Sequence, residues 1–241
     1  MNQHKKPALS ILGCGWTGKA LAEAARTQYK IACLSHDIAA NDQAGYYNCD
    51  TLIVAIPPRE NYLEVLERTY GLLDAKTQVI FLSSVSWYEG KAPIVEAEVL
   101  TRRLRPDAAI FRLGGLMGYD RIAGKYTAGK TLPHDTMSRY IHRDDVVGII
   151  LAMIVQNTRS VTWDAVAPIQ HPKSEIFAVN ARRFGFETTQ FKTTQAEKKH
   201  LTSDALIEAL DYRFKFPDVM KFWQGVASQA FPLVIPDNTV S

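Results

Sequence analysis

Three glycines near the amino terminus constrain the fold of this chain more than any other feature. Gly13, Gly15 and Gly18 form the pattern G-x-G-x-x-G between an apolar segment at 9–12 and a segment rich in Ala, Leu and Glu at 19–26. The first segment predicts a buried strand and the second a helix, which is the context of a dinucleotide site. Gly13 would permit a tight turn, Gly15 the approach of a pyrophosphate, and Gly18 close packing of the helix on the strand. The alternative is a glycine turn that only packs.

Strand-like and helix-like segments alternate through the first two thirds of the chain. The strand-like segments are 9–12, 30–34, 51–56, 78–82 and 108–113, and the helix-like segments are 19–26, 61–73, 95–104 and 144–155. This alternation predicts an α/β fold, a Rossmann-type doubly wound parallel sheet with helices on both faces. The predicted organisation is a dinucleotide-binding domain at 1–159, a small C-terminal substrate-binding region at 160–231 packed on it, and a loose tail at 232–241.

Composition and charge exclude several classes of protein. Hydrophobic residues make up 46% of the 241 residues and charged residues 22%, which is ordinary for a soluble globular protein. No apolar run is long enough to cross a bilayer, and a net charge of +3 is too small to indicate nucleic-acid binding. We therefore expect a small-molecule substrate, no nucleic-acid or membrane partner, and a monomer or homodimer.

The three cysteines bear on metal binding and on location. Cys14, Cys33 and Cys49 have no metal-ligand spacing and form no even disulfide set, so we expect neither a metal site nor a disulfide framework. The amino-terminal segment lacks the apolar core and cleavage site of a signal peptide. Together these features favour a reducing cytoplasm.

Three later segments have the order and spacing of motifs shared by one enzyme family. Residues 83–88 (Ser-Ser-Val-Ser-Trp-Tyr) follow a predicted strand, residues 112–118 (Arg-Leu-Gly-Gly-Leu-Met-Gly) end the next, and residues 140–146 (Tyr-Ile-His-Arg-Asp-Asp-Val) open a helix. With the glycine turn, they resemble the extended short-chain dehydrogenases/reductases of the NAD(P)-dependent epimerase/dehydratase group. Segments 124–131 and 165–168 are most similar to its YeeZ-type members. The resemblance implies a Rossmann sheet, a nicotinamide cofactor and, for many members, a nucleotide-sugar substrate.

The resemblance also implies a catalytic site and a cofactor site. Ser84 aligns with the serine that hydrogen-bonds the reacting oxygen, and Tyr88 is a candidate acid. Their alternatives are a cap at a strand end and a tyrosine packed beside the cofactor. The residues expected to contact the cofactor are Gly13, Gly15, Trp16, Thr17, Gly18, Ser35, His36, Ala55, Ile56, Pro57, Ser83, Gly114 and Gly115.

The end of the second strand bears on the choice between NADP and NAD. Ser35 and His36 occupy the place where NADP-binding members carry Ser or a base, which favours NADP. Asp37 keeps NAD open, because an acidic residue at this point hydrogen-bonds the ribose hydroxyl of NAD. Further along the chain, Asp50 is a candidate for contact with adenine.

The Tyr-x-x-x-Lys pair of the family is missing from its expected place. Helix alignment puts the tyrosine position near Ile94 and the lysine position near Glu98, where a carboxylate would raise the pKa of a nearby phenol. A literal pair, Tyr126 and Lys130, follows the wrong strand, and we interpret it as coincidence. Two hypotheses remain: an epimerase/dehydratase-like oxidoreductase with atypical catalytic residues, and a non-catalytic NAD(P)-binding sensor or partner-binding module.

The predicted substrate loop at 119–143 is rich in basic residues. They are Arg121, Lys125, Lys130, Arg139 and Arg143. If several of them converge, they could hold a phosphate or a carboxylate, and the alternative is exposed charge on a mobile loop. At the end of the loop, His142 is expected to order the start of the following helix together with Asp145.

Overall fold

The structure, a computed structural model, describes residues 6–34, 44–194 and 200–224. Its strands are β1 Ala8–Leu12, β2 Lys30–Leu34, β3 Thr51–Val54, β4 Gln78–Ser84, β5 Ala109–Leu113, β6 Gly115–Met117, β7 Thr131–Asp135, β8 Tyr140–His142, β9 Thr162–Ala165 and β10 Gln190–Thr194. Its helices are α1 Trp16–Ala25, α2 Ala44–Tyr47, α3 Tyr62–Gly71, α4 Ala92–Leu104, α5 Arg143–Val155, α6 Lys173–Phe184 and α7 Asp204–Leu210. Short 3₁₀ helices span Val85–Glu89, Lys125–Thr127 and Val219–Lys221. None of the described helices is long and apolar enough to cross a membrane.

Six strands form one parallel sheet in the order β2-β1-β3-β4-β5-β9. The strand order reverses next to β1, which has β2 on one side and β3 on the other. In open sheets of this kind, ligands bind outside the carboxyl ends of the strands at such a reversal. The predicted Rossmann-type α/β fold is confirmed. Since β9 follows residue 159, the sheet extends past the predicted domain boundary.

Alternation along the strands explains why helices cover both faces of the sheet. In β4, Val79 and Phe81 pack in the apolar cluster that contains α3 and α4, whereas Ile80 packs in the cluster that contains α1 and α5. Successive side chains of a strand point to opposite faces, and all three are at most 1% exposed. The two apolar layers fix the sheet and therefore the strand ends that carry the site.

The segment 119–143, predicted as a loop, is partly ordered into strands. β7 pairs with β10, and β8 pairs with β6, both in parallel. These strands were not predicted, because β7 is mostly exposed and β8 is only three residues long, so neither shows the apolar alternation that indicates a strand. A third apolar cluster, which includes Ile122, Phe177 and Trp223, joins this segment to α6 and the C-terminal residues.

The start of α5 links the sheet to the C-terminal residues. His142 Nδ1 accepts a hydrogen bond from the amide of Asp144 (3.2 Å) and so caps the helix, as expected. Asp145 has a different role from the expected one. Its carboxylate accepts from the amides of Lys215 (2.7 Å) and Phe216 (3.0 Å) and from the hydroxyl of Tyr212 (3.1 Å). Asp145 is fully buried, and these donors from the C-terminal segment satisfy its carboxylate.

The expectation that the cysteines form no disulfide is wrong. Cys14 and Cys33 are joined by a disulfide with their Cα atoms 5.5 Å apart, while Cys49 is free and buried. The pairing follows from topology, because β1 and β2 lie side by side in parallel register and the chain just after β1 meets the end of β2. The number and spacing of the cysteines in the sequence do not show that β1 and β2 are neighbours. In the described part of the chain, no three His, Cys, Asp or Glu side chains converge to hold a metal.

Candidate nucleotide-binding and active site

A cavity of about 610 Å³ opens at the carboxyl ends of β1 and β3. We call it the larger cavity, to distinguish it from a smaller one that adjoins it. Eight of the predicted cofactor-binding residues line it: Gly13, Gly15, Trp16, Thr17, Gly18, Ala55, Ile56 and Pro57. The structure therefore brings the glycine turn and the segment after β3 together, as a dinucleotide site requires.

The three glycines of the turn meet different constraints. Gly13 has a φ of +112°, and a Cβ there would lie 2.6 Å from the carbonyl carbon of Ala55, so a side chain does not fit. A Cβ on Gly18 would lie 2.1 Å from the carbonyl oxygen of Gly13, so this glycine is needed for packing α1 on the turn. A Cβ on Gly15 would meet nothing within 4 Å. Gly15 is therefore not required by the fold, and its open side leaves room for a ligand.

The first turn of α1 offers backbone donors to the larger cavity. Gly15 is the N-cap, and no side chain caps the helix. The first helical hydrogen bond runs from the amide of Lys19 to the carbonyl of Gly15 (2.9 Å). The amides of Trp16, Thr17 and Gly18 donate to no described residue. Unpaired N–H groups and the positive end of the helix dipole attract anions, so the local electrostatics suit a phosphate.

A smaller cavity of about 210 Å³ adjoins the larger one at the carboxyl ends of β4 and β5. The two cavities share the lining residues Thr17, Ala55, Ile56, Pro57, Tyr62 and Leu116. Ser83, Ser84, Ile94 and Gly114 line the smaller cavity and not the larger one. A ligand bound at the α1 amides can therefore extend along the strand ends to Ser84.

Ser84 has a hydroxyl placed for hydrogen bonding to a ligand. Its Oγ accepts from the amide of Ser86 (3.2 Å) and caps the 3₁₀ helix Val85–Glu89. Because that bond uses an oxygen lone pair, the hydroxyl proton stays available for donation. Ser84 thus both caps a strand end and lines the smaller cavity.

Tyr88, the other candidate catalytic residue, lines neither cavity. Its hydroxyl donates to Asp164 Oδ2 (2.8 Å) and accepts from the guanidinium of Arg112 (3.2 Å). The guanidinium carbon of Arg112 also lies 5.1 Å from the centroid of the Tyr88 ring. These contacts favour the alternative of a packed tyrosine over a group that reaches the substrate.

A buried ion pair lies at Glu98, the expected lysine position of the Tyr-x-x-x-Lys pair. Arg112 donates from Nε to Glu98 Oε1 (2.9 Å) and from a terminal nitrogen to Oε2 (2.7 Å), and the Ser83 hydroxyl donates to the same carboxylate (2.6 Å). Glu98 is 5% exposed, and a bidentate partner with an added hydrogen bond is what a buried carboxylate requires. Ile94, one turn earlier, lines the smaller cavity. An apolar side chain and an ion-paired carboxylate therefore occupy the positions at which the resemblance led us to expect the tyrosine and the lysine.

Tyr62 is a site residue that the sequence analysis missed. It begins α3, lines both cavities and is 5% exposed. Its hydroxyl makes no hydrogen bond within the described ranges. Burial raises the pKa of this phenol above its ordinary value, so the hydroxyl keeps its proton at neutral pH. Tyr62 lies in a helix-like segment, where its sequence context does not distinguish it from an aromatic residue of the core. The signal that could have identified it as a site residue is its position shortly after Pro57 and Pro58.

Gly114 and Gly115 have packing roles that the motif alone did not reveal. A Cβ on Gly114 would lie 2.3 Å from the carbonyl oxygen of Arg139, and one on Gly115 would lie 2.6 Å from the ring of Tyr140. Both glycines therefore let β6 approach the segment that leads into β8. Gly114 lines the smaller cavity, whereas Gly115 lines neither cavity.

The adenine side of the predicted site is only partly visible. Ser35, His36 and Asp37 lie outside the described residues. The expectation for Asp50 is wrong: this residue precedes β3, and its carboxylate accepts from the amide of Ala8 (2.7 Å) at the start of β1. It therefore lies at the amino edge of the sheet, opposite the cavities. The predicted strand at 51–56 already places Asp50 at its amino end, opposite the edge at which a nucleotide binds in such a sheet.

Two basic residues of the segment 119–143 converge beside the larger cavity. The guanidinium carbons of Arg121 and Arg143 lie 4.2 Å and 4.7 Å from a ring centroid of Trp16. Lys130 is exposed and lines neither cavity. Tyr126 is 67% exposed and also lines neither cavity. Tyr126 and Lys130 therefore lie on the surface, outside both cavities.

The similarity of this chain to known sequences is low in percentage identity. No family model matches it. The protein YeeZ of Escherichia coli (strain K12) is 23% identical over 222 residues, which cover 80% of this chain and 79% of YeeZ. The expected resemblance to YeeZ-type proteins is confirmed.

Solved structures resemble the whole fold. A functionally unknown conserved protein from Silicibacter pomeroyi has a TM-score of 0.70 at 15% identity and covers 90% of this chain and 96% of that one. UDP-glucuronic acid 4-epimerase from Bacillus cereus, in complex with NAD, has a TM-score of 0.69 at 13% identity, with coverage of 89% and 95%. This chain therefore resembles YeeZ in sequence and has the fold of the NAD-dependent epimerases and short-chain dehydrogenase/reductase proteins.

Proposed function

We propose that the protein is an NAD(P)-dependent oxidoreductase of the epimerase/dehydratase type that acts on a nucleotide sugar or a related small carbonyl or hydroxyl compound. The observation that carries the proposal is the uncapped start of α1, whose free amides border a cavity that continues to Ser84. The open side of Gly15 and these amides fit a pyrophosphate. Epimerases of UDP-glucuronic acid and of UDP-N-acetylglucosamine share the fold, which supports the cofactor and the substrate class.

The side chains around the smaller cavity can assist a reaction at a carbonyl or hydroxyl group. A bound nicotinamide would supply or accept the hydride. Ser84 would donate a hydrogen bond to the substrate oxygen as negative charge develops there. Tyr62, which keeps its proton at neutral pH, is a second donor at the same cavity. The apolar side chains of Ile94 and Leu113 line this cavity and would limit the water near the reacting atoms.

A second candidate function is a non-catalytic NAD(P)-binding sensor or partner-binding module. The observation that favours it is the replacement of the family's pair by Ile94 and by Glu98, which is bound to Arg112. Calorimetric titration with NADPH and NADH, followed by product analysis on a panel of sugar nucleotides and small carbonyl compounds, separates the two. Binding with turnover supports the enzyme, binding without turnover across the panel supports the sensor, and absence of binding contradicts both.

The proposal includes NADP as the preferred cofactor, because Ser35 and protonated His36 would bind a 2′-phosphate. Tighter binding of NADH than of NADPH at neutral pH would assign the ribose contact to Asp37 instead. The proposal also includes a small-molecule partner, a monomer or homodimer, and a cytoplasmic location. Because disulfides are rare in reducing compartments, recovery of the Cys14–Cys33 pair in its oxidised form from cells lysed under thiol-trapping conditions would contradict the cytoplasmic location.

A further inference from the structure

Arg121 places a guanidinium cation beside the glycine turn. Its guanidinium carbon lies 4.2 Å from a ring centroid of Trp16. Both side chains line the larger cavity together with Gly13 and Gly15. Within the described ranges, the Arg121 guanidinium has no carboxylate partner and no hydrogen bond. Its N–H groups are therefore available to a ligand.

The surroundings of Trp16 hold Arg121 without neutralising it. Trp16 Nε1 donates to Asp120 Oδ1 (3.0 Å), which fixes the ring. Arg143 lies over the same ring at 4.7 Å, and it also lies 3.7 Å from the Asp144 carboxylate. An aromatic face attracts a guanidinium but accepts none of its in-plane hydrogen bonds. Of the two stacked arginines, Arg121 therefore keeps its charge and its donors for the cavity.

We infer that Arg121, held in place by Trp16, binds the diphosphate of a nucleotide ligand in the larger cavity. A planar guanidinium matches pairs of phosphate oxygens, and the free amides of the first turn of α1 border the same cavity. Both a dinucleotide cofactor and a nucleotide-sugar substrate carry a diphosphate, so the chemistry is shared between two sources. Assignment to the cofactor rests on the proposed function, whereas binding of a diphosphate by Arg121 does not.

The test compares Arg121→Gln with Lys125→Gln. Both changes remove one positive charge from the same segment, but Lys125 is exposed and lines neither cavity. Calorimetry measures the affinity for inorganic pyrophosphate, ADP-ribose, NADPH and adenosine. Arg121→Gln is expected to weaken binding of the diphosphate ligands by about 10- to 100-fold, as loss of a charged hydrogen-bond donor does, and to leave adenosine unchanged. Lys125→Gln should behave as wild type, and thermal unfolding should show that both variants are folded.

A further titration identifies the source of the diphosphate. UDP-glucose is titrated into wild type and Arg121→Gln, each saturated with NADPH. Weakened binding of NADPH and ADP-ribose assigns Arg121 to the cofactor, and weakened binding of UDP-glucose alone assigns it to the substrate. If wild type binds pyrophosphate through Arg121 but binds no dinucleotide, the proposed function fails while the inference stands. Equal affinities of wild type and Arg121→Gln for every diphosphate ligand would overturn the inference.

Discussion

Cys14 and Cys33 attach the glycine turn covalently to β2. Hydrogen bonds reinforce the attachment, because the amides of Gly13 (2.9 Å) and Cys14 (2.8 Å) both donate to the carbonyl of Leu34 at the end of β2. The turn that borders the larger cavity is therefore fixed on its β2 side before any ligand binds. Such preorganisation lowers the entropic cost of binding a ligand.

Reduction of the disulfide is expected to lower the stability of the protein. The bridge joins residues 19 apart in sequence, and opening a loop of this size costs about 3 kcal/mol. Thermal unfolding with and without a thiol reductant measures the loss, and a Cys14→Ser/Cys33→Ser double variant should not respond to the reductant. Thiol titration of denatured, unreduced protein should detect Cys49 alone. Detection of all three cysteines would contradict the pairing.

Substitution of Gly15 should separate binding from folding. A Cβ at Gly15 meets nothing within 4 Å, and a larger side chain there would enter the space that a pyrophosphate needs, so Gly15→Val should fold normally and lose affinity for NAD(P). The matched variant Gly18→Val places its Cβ against the Gly13 carbonyl, 2.1 Å away, and should unfold at a lower temperature. Calorimetry with NADPH and NADH and thermal unfolding of both variants check this. Unchanged affinity in folded Gly15→Val would remove the turn from the site.

Any oxidoreductase activity should depend on Ser84 and not on Tyr126. Loss of a hydrogen-bond donor at the reacting oxygen costs on the order of 10²-fold in turnover, so Ser84→Ala should lose about that much. Tyr126 is 67% exposed, and Tyr126→Phe should be nearly normal. Steady-state kinetics of both variants measure this, with thermal unfolding as the control because Ser84 also caps Val85–Glu89. The opposite pattern would show that the site is assembled elsewhere.

Tyr62→Phe is expected to leave stability unchanged and to lower turnover. The hydroxyl makes no hydrogen bond to a described residue, so its removal costs the fold little. If Tyr62 donates to the substrate oxygen, turnover should fall by roughly 10²-fold, the lower end of general acid catalysis. Unfolding temperature and kcat are the two measurements. A kcat equal to that of wild type would show that Tyr62 only packs.

Acidification should destabilise the fold through His142. Burial lowers the pKa of His142 to about 4, from 6.5 in the unfolded chain. Between these pH values the unfolded state binds the proton more readily, so stability falls as pH decreases from 6.5 to about 4, by at most about 3 kcal/mol.

The control for this pH effect is His142→Asn, which keeps a cap acceptor for α5 and removes the titration. Burial raises the pKa of the neighbouring Asp145, an effect of opposite sign that is present in both proteins and cancels in their difference. Chemical denaturation of both proteins from pH 7 to pH 4 gives the difference in unfolding free energy. A difference that does not change with pH would contradict the assignment to His142.

Most of the sheet was predictable because its central strands, β1, β3, β4 and β5, are largely buried and form nearly continuous apolar runs. Segments 9–12, 30–34 and 108–113 agree with β1, β2 and β5 to within a residue at each end. β7 was missed since its Thr-Leu-Pro-His-Asp sequence gains its strand conformation from pairing with β10, a contact between residues almost sixty positions apart. The local sequence of a strand does not indicate pairing with a segment so far away in the chain.

The part of the candidate site whose backbone geometry follows from a motif was predictable. The contacts of its side chains were less predictable, because they depend on residues from other elements of the fold. The glycine turn lies where the spacing of Gly13 and Gly18 places it. The sequence did not show that Tyr88 would bind Asp164 and Arg112 instead of facing the cavity, because those partners come from β9 and β5. Tyr62 was missed for the same reason, since only the folded chain shows which side of α3 borders the cavities.

The bonds of Asp145 also bear on when the chain can fold. Its partners Tyr212 and Phe216 lie 67 and 71 positions later in the sequence. During synthesis, α5 therefore leaves the ribosome long before the donors that its buried carboxylate needs, and an unpaired carboxylate in an apolar site is costly. The packing of α5 on this face of the sheet is therefore expected to be completed only after residues 212–216 have been synthesised.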